Sequence, residues 1–514
     1  MMHKTFGMLT SVAIFALLTS ARSEEPLRPH LDHGGPELPS PAPVETPIQH
    51  EKYFHGEREL FGYRPRYFPG VISFDRDNRP YIDGRWYLQT LGDAGTWTTL
   101  DVSRQVRNLY PDAEGYVAFL DHHVSFDRDG DLYALTRIIR AGTFRYGLLH
   151  SSDRGRSWNF YETPVPLVRL DLLEAHNQVD GPPPMVTGRG GELRLVIAKK
   201  TPRGSLEIGR DIVIANADGS VSGKGRNWIT PAHSGGGNVT ATFDGKTHIV
   251  WLSIEPHSYH ATAANKLPTK PENGYKPYAS RYKLESLAPC YAITYDHATE
   301  SLSERTLLGF TRRDTHNGPV ISVDSCGNLH VVIGAHHDNF LYTRSLAPNQ
   351  TTGGWTTAEP FGVPLPKNGT GSYTYTGLVC DSSDTLHLVS RWAGSGYYFR
   401  LVYHRKKTAA SWEPHKDLVI PFRTGYSVWY HHLNIDRLGR LFVDYSYMAA
   451  ELNQVERAAY QRKWPQHDYR RNSTGEHGLF RHDHCMLLSD DGGNTWRLAR
   501  TEDFVAGIAP SAGS

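Results

Sequence analysis

The chain has 514 residues, 55 Lys and Arg against 54 Asp and Glu, a formal net charge of +1 and 39% hydrophobic residues. Charge so evenly balanced argues against a basic nucleic-acid binder, and the ordinary apolar fraction argues against a chain too polar to build a core. The 28 Tyr, 19 Phe, 48 Gly and 32 Pro favour short strands joined by many turns, so an all-β fold is expected.

At the N-terminus, His3 and Lys4 precede an apolar run from Phe6 to Leu18, and Ala21-Arg22-Ser23 follows as a small-x-small pattern. Residues 1–23 therefore predict a secretory signal peptide, and with it an extracellular or periplasmic protein. No later stretch reaches the roughly 18 apolar residues of a membrane span, so no membrane partner is expected. Residues 24–52 carry seven prolines (Pro26, Pro29, Pro36, Pro39, Pro41, Pro43 and Pro47) and few apolar residues, which predicts a linker that builds no core. The folded domain is expected over 53–514.

From there a turn flanked by apolar strands recurs seven times. It reads Phe74-Asp75-Arg76-Asp77, Phe126-Asp127-Arg128-Asp129-Gly130, Gly188-Arg189-Gly190-Gly191, Phe243-Asp244-Gly245, Val323-Asp324-Ser325-Cys326-Gly327, Cys380-Asp381-Ser382-Ser383 and Ile435-Asp436-Arg437-Leu438-Gly439. In most copies the following residues alternate, as in Leu132-Tyr133-Ala134-Leu135, the pattern of a strand leaving a tight hairpin. A second mark, Ser-x-Asp-x-Gly-x-Ser/Thr-Trp, appears at Ser151 to Trp158 and at Ser489 to Trp496, with degenerate relatives ending in Trp97, Trp228, Trp355 and Trp412. These Asp-boxes shape outer-strand turns and say little about chemistry. Together the two marks predict a seven-bladed β-propeller.

Two long intervals interrupt the repeat, Pro256–Leu287, rich in Lys and Tyr, and Met448–Arg481, in which Ala449–Trp464 is compatible with a short helix. Basic, aromatic loops of this length suit an anionic sugar chain, because rings stack on pyranoses and cations pair with carboxylate or sulfate.

Many of the 27 histidines fall just before expected inner strands: His122, His123, His176, His233, His316, His431 and His432. Inner strands line a propeller's channel, so these side chains are expected at one end of it. In the fifth repeat His316 opens the inner strand and His336 closes the second, which is expected to bring both imidazoles to one rim. Tyr375 and Arg391 occupy corresponding places in the sixth. Arginine cannot act as a base but its fork suits a carboxylate, whereas His and Tyr can exchange protons.

The stretch His316-Asn317-Gly318-Pro319, Gly334-Ala335-His336-His337-Asp338, Leu341-Tyr342-Thr343-Arg344-Ser345, Tyr373-Thr374-Tyr375 and Ser390-Arg391 resembles the BNR-type propeller family that includes ulvan lyases. Those are secreted enzymes that cleave a sulfated polysaccharide beside a uronic acid by β-elimination. The resemblance implies that His316 and Tyr375 are catalytic and that His336 and Arg391 bind the substrate carboxylate. His431, from the recurrent strand-start set, is taken as a further substrate-binding residue. The expected partner is an anionic polysaccharide, acted on by a monomer. The matched blades are the fifth and sixth of seven, later than the resemblance leads one to expect.

Two other functions are open. A sialidase-like hydrolase would share the Asp-boxes but needs an Arg-Ile-Pro-type motif, whose nearest and poor relative is Tyr67-Phe68-Pro69. A non-catalytic polysaccharide-binding propeller needs no such motif. No cofactor is required for an elimination. His482, His484 and Cys485 form a candidate metal site, completed by His432 or His477, for a structural zinc or calcium ion. Cys326 and Cys380 lie in equivalent turns of adjacent repeats, where a disulfide is possible.

Overall fold

The computed structural model describes Ile48–Gln49 and residues 71–508, with breaks at 84–86, 93–94, 164–169, 173–180, 183, 190–191, 217–227, 231–237, 255–286, 313–317, 335, 363–371, 394–398, 421–427, 450–461 and 463–479; in parts of several strands, 114–123 and 481–485 among them, it describes the backbone alone. Seven antiparallel sheets follow one another along the chain and form the seven blades of a β-propeller. Each recurrent turn joins two neighbouring antiparallel strands of its blade. In blade 6, for example, Ser372–Cys380 pairs with Thr385–Ala393 across the Asp381 turn, and Phe399–Lys407 and Lys416–Ile420 follow.

Side-chain alternation gives each blade two apolar faces, and each face is buried against the next blade. Seven hydrophobic clusters result, one for each neighbouring pair. Val379, Val389 and Leu401 of blade 6 pack against Leu433, Val443 and Leu487 of blade 7. Val320, Val332 and Phe340 of blade 5 pack against Leu378, Leu386 and Leu388 of blade 6. The ring closes without an exchanged strand, because Ile72, Phe74 and Leu91 of blade 1 pack directly on Phe442, Met486 and Leu488 of blade 7, with Phe504 of the helix Thr501–Gly507 joining them.

Polar bonds reinforce this seam. Asn78 Nδ2 donates to Asp436 Oδ2 (2.9 Å) and to the Gly507 carbonyl (3.0 Å), and its Oδ1 accepts from the Arg437 N–H (2.7 Å).

Four of the recurrent turns are held by their aspartates through bonds of one pattern. Asp381 Oδ1 accepts from the Ser383 and Thr385 N–H groups, and Asp324, Asp436 and Asp75 accept in the same way from their own turns. In blades 5 and 6 the second carboxylate oxygen starts a relay into the blade. His330 Nε2 lies 3.2 Å from Asp324 Oδ2 and its Nδ1 2.8 Å from the Tyr342 hydroxyl. His387 Nε2 lies 3.0 Å from Asp381 Oδ2 and its Nδ1 2.6 Å from the Tyr403 hydroxyl. Both rings are fully buried. The Asp-boxes behave as expected: Ser489 and Asp491 hold the turn through the Gly493 and Thr495 N–H groups, while Trp496 is buried.

Three expectations change. The second strand of blade 5 ends at Ile333, and His336–Asp338 is a separate strand that pairs with the inner strand of blade 6 (His336 with Thr374, Asp338 with Tyr373), so it does not close the fifth repeat. Ile48–Gln49, from the expected linker, pairs in parallel with the outermost strand of blade 6. Cys326 and Cys380 are free thiols, as is Cys290, so no bridge ties the two turns. The two long insertions lie outside the described residues, apart from Arg462, which is helical and exposed. Among the described residues no helix is long and apolar enough to cross a membrane.

Candidate active site

Successive turns of an up-and-down blade alternate between its two ends. The Asp turns and Asp-boxes therefore share one end of the ring, while the second-to-third strand connections and the starts of the inner strands share the other. Tyr375, at the start of the inner strand of blade 6, and Arg391, near the end of its second strand, both belong to this second end. So do the strand ends that flank the two long insertions, Ile254 and Leu287 in blade 4 and Ala449 and Phe480 in blade 7.

The inner strand of blade 6 is irregular where the sequence places the site. Thr374 pairs with Arg391 and Thr376 with Ser390, which leaves Tyr375 as one extra residue, a β-bulge. Its φ of 54° lies in the left-handed region, which costs a side-chain-bearing residue of order 1–3 kcal/mol unless its surroundings impose it. The bulge also resets alternation: Tyr373 and Leu378, five positions apart, both join the blade 5 interface. Tyr375 is consequently turned towards blade 7.

There it meets Arg391. The guanidinium carbon lies 4.3 Å from the centroid of the Tyr375 ring, Nε donates to Thr374 Oγ1 (3.2 Å) and a terminal nitrogen to the Val428 carbonyl of blade 7 (3.3 Å). Tyr375 is 5% exposed and Arg391 is completely buried. A permanent cation is thus fixed against a phenol at a strained position.

His431 belongs to the same layer. The inner strand of blade 7 loses register between Trp429 and His432, and His431 Nε2 lies 3.1 Å from the Val389 carbonyl of blade 6. Burial pushes its pKa down to about 3, the Val389 carbonyl pulls the other way, and the charges of His432 and Arg391 add to the depression. Burial thus favours the neutral ring, which lies close to the Arg391 charge and to the Tyr375 backbone. Its neighbour His432 sits with Nδ1 2.8 Å from Asp444 Oδ1, a carboxylate with no exposure.

Tyr375, Arg391 and His431 therefore come together at the junction of blades 6 and 7, and the strand carrying His336 runs along the inner edge of blade 6 beside them. His336 is partly exposed, unlike Arg391 and His431, which sequence reasoning placed in contact with substrate. That reasoning missed their burial because their neighbours come from a different blade. His316 lies outside the described residues, as do His176, His233 and His477. His482, His484 and Cys485 lie on the strand Phe480–Ser489, where His484 pairs with Ser446 and Cys485 with Tyr445, and their side chains are outside the described residues. Among the described residues no group of three or more His, Cys, Asp or Glu is arranged to hold a metal ion.

The sequence profile of the family described as "BNR repeat-containing family member" matches residues 277–512, which span blades 5 to 7 and the later strands of blade 4. No curated protein sequence matches the chain. Among solved structures it is similar to the Penicillium chrysogenum alpha-L-arabinanase complexed with arabinobiose, at 10% identity over 76% of this chain and 94% of that one, with a TM-score of 0.36. It is also similar to polysaccharide lyase Uly1 (12% identity, 55% of this chain and 59% of that one, TM-score 0.34) and to the Hadza microbial sialidase Hz136 (12%, 77% and 65%, TM-score 0.34).

Proposed function

We propose that the protein is an exported polysaccharide lyase that cleaves beside a uronate residue by β-elimination, with an ulvan-type sulfated polymer as the preferred substrate. The observation that carries this reading is the left-handed bulge that turns Tyr375 onto the buried guanidinium of Arg391. Strain held in place by packing, at the end of the ring where the strands flanking the two long insertions finish, is the mark of a residue positioned for chemistry.

In the proposed reaction a base removes the C5 proton of the uronate. The electron pair forms the C4–C5 double bond, the C4–O4 bond breaks, and an acid returns a proton to O4. His316 and Tyr375 are the base and acid, in an order set by the C5 epimer. His336, partly exposed, contacts the carboxylate. Arg391 acts from the layer beneath, where its fixed charge stabilises the negative charge that spreads onto the carboxylate as the proton leaves. A binding module would need no such proton transfer.

Digestion of a uronate polymer separates the three readings. The proposal expects an unsaturated product that absorbs in the ultraviolet. Reducing ends without that absorbance would mean a hydrolase, and neither signal a binder.

A further inference from the structure

In blade 2 the second and third strands, Leu132–Arg140 and Thr143–Ser151, form a long hairpin whose tip, Ala141-Gly142, takes left-handed φ angles of 49° and 68°. Its connection is the second of the blade, so the tip rises from the same end of the ring as Tyr375. The lower part of one face, Tyr133, Leu135 and Leu148, is buried against blade 3. Two residues further along, that face carries Arg137, paired with Tyr146, and then Ile139, paired with Phe144.

These upper residues emerge from the core. Phe144 is 49% exposed and Arg137 is exposed, with its guanidinium 5.0 Å from the centroid of the Phe144 ring; Tyr146 lies behind Phe144 at 6.3 Å. The other arginines of the hairpin are engaged: Arg140 pairs with Asp112 and Arg145 with Glu162. Among the described residues Arg137 meets no carboxylate and makes no hydrogen bond, and its guanidinium contacts the Phe144 ring. A guanidinium held over an aromatic ring and exposed to solvent suits a pyranose that bears a carboxylate or sulfate. The ring stacks on the sugar and the fork takes the anion.

We propose that Arg137 and Phe144 form a distal subsite for an anionic sugar of the polysaccharide chain. Blade 2 lies across the ring from blade 6, so a polymer bound at Tyr375 and crossing the channel mouth reaches this hairpin. The inference rests on the polysaccharide reading above for its ligand, but not on the elimination chemistry.

The test uses the full chain and its R137A, F144A and R137A/F144A variants in native gels containing ulvan, polygalacturonate or neutral hydroxyethylcellulose. The anionic polymers should retard the wild type, and each single variant should weaken retardation about three- to ten-fold, as expected for loss of one exposed charged or stacking contact. Hydroxyethylcellulose should retard none of them. Ulvan alone acting would assign the anion as sulfate, and both anionic polymers acting would include carboxylate. Unchanged retardation in the double variant, with an unchanged melting temperature, would overturn the subsite, as would a wild type that no anionic polymer retards. An unsaturated product from the wild type together with unchanged retardation and KM in the double variant defeats this inference alone. Lost retardation in the double variant, with no unsaturated product from the wild type, defeats the lyase reading alone.

Discussion

The two ends of blade 6 use similar residue types to opposite effect. At the Asp-turn end, Asp381, His387 and Tyr403 form a closed relay in which each group meets the next at 3.0 Å and 2.6 Å, the two strands pair in unbroken register, and the left-handed residue Asp384 (φ 59°) sits in the tight turn itself. Burial alone would raise the Asp381 carboxyl, but the bonds from His387, Thr385 and Ser383 bring it down to about 2. At the other end Tyr375 sits in a bulge with a positive φ, against a buried cation that is held by a side-chain hydroxyl and a carbonyl from the next blade. Asp, His and Tyr together do not mark a catalytic site. Full hydrogen bonding within unbroken strand pairing marks a structural device, which blade 5 repeats with Asp324, His330 and Tyr342.

The largest expected effect comes from Arg391. Arg391→Lys keeps the charge but loses the fork and the stacked plane, and should lower turnover about 10²-fold while the fold survives. Arg391→Ala, which a surface position would tolerate, should also lower stability by about 2–4 kcal/mol because it empties a fully buried site. Chemical denaturation beside steady-state kinetics separates the two effects.

Next is the seam between blades 7 and 1. Asn78→Ala removes three hydrogen bonds and places a Cβ-restricted residue at a φ of 61°, which should cost about 2–3 kcal/mol and leave kcat per folded molecule unchanged.

A smaller effect separates the relays from a buried histidine that lacks one. His404 is fully buried among Phe361, Tyr373, Trp412 and His415, and among the described residues neither ring nitrogen has a hydrogen-bond partner. Burial, helped by His415, pushes its pKa down to about 3. The unfolded ring titrates near pH 6.5, so below that pH the unfolded chain takes up a proton that the folded chain refuses. Stability from this residue is complete above about pH 6.5 and falls as the pH drops towards 3. His404→Phe should remove that part of the slope, gaining about 2 kcal/mol on the wild type between pH 7 and 5 in urea titrations. His248 and His431, lowered for the same reason, keep the remaining slope. Least of all, Arg145→Ser breaks an exposed pair with Glu162 and should change stability by less than about 0.5 kcal/mol.

The ring was legible because each blade repeats a local signal. In four of the turns the aspartate (Asp75, Asp324, Asp381 or Asp436) bonds to N–H groups two and four residues on, so its position can be read without knowing what packs on it. The relays had a signal that went unread: His or Tyr stands six residues after Asp75, Asp127, Asp324 and Asp381. The site was only half legible. Tyr375 and Arg391 were selected correctly as neighbours, but the sequence does not announce a bulge, and one extra residue decides which blade a side chain faces. Nor could it show that His336 leaves its own blade, since strand pairing across Gly334 depends on the geometry of the next sheet. Arg137 was missed because alternation marks the whole hairpin as strand without showing where the core ends.

The central claim is that Tyr375, held in its bulge over Arg391, transfers a proton in an elimination. The most direct measurement follows the ultraviolet absorbance of the unsaturated product when wild type and Tyr375→Phe digest ulvan, with melting temperatures recorded for both. The account predicts product from the wild type and a loss of about 10²–10⁴-fold in the variant, at nearly the same melting temperature, because only a hydroxyl has been removed. A Tyr375→Phe protein that forms the unsaturated product at the wild-type rate would contradict it.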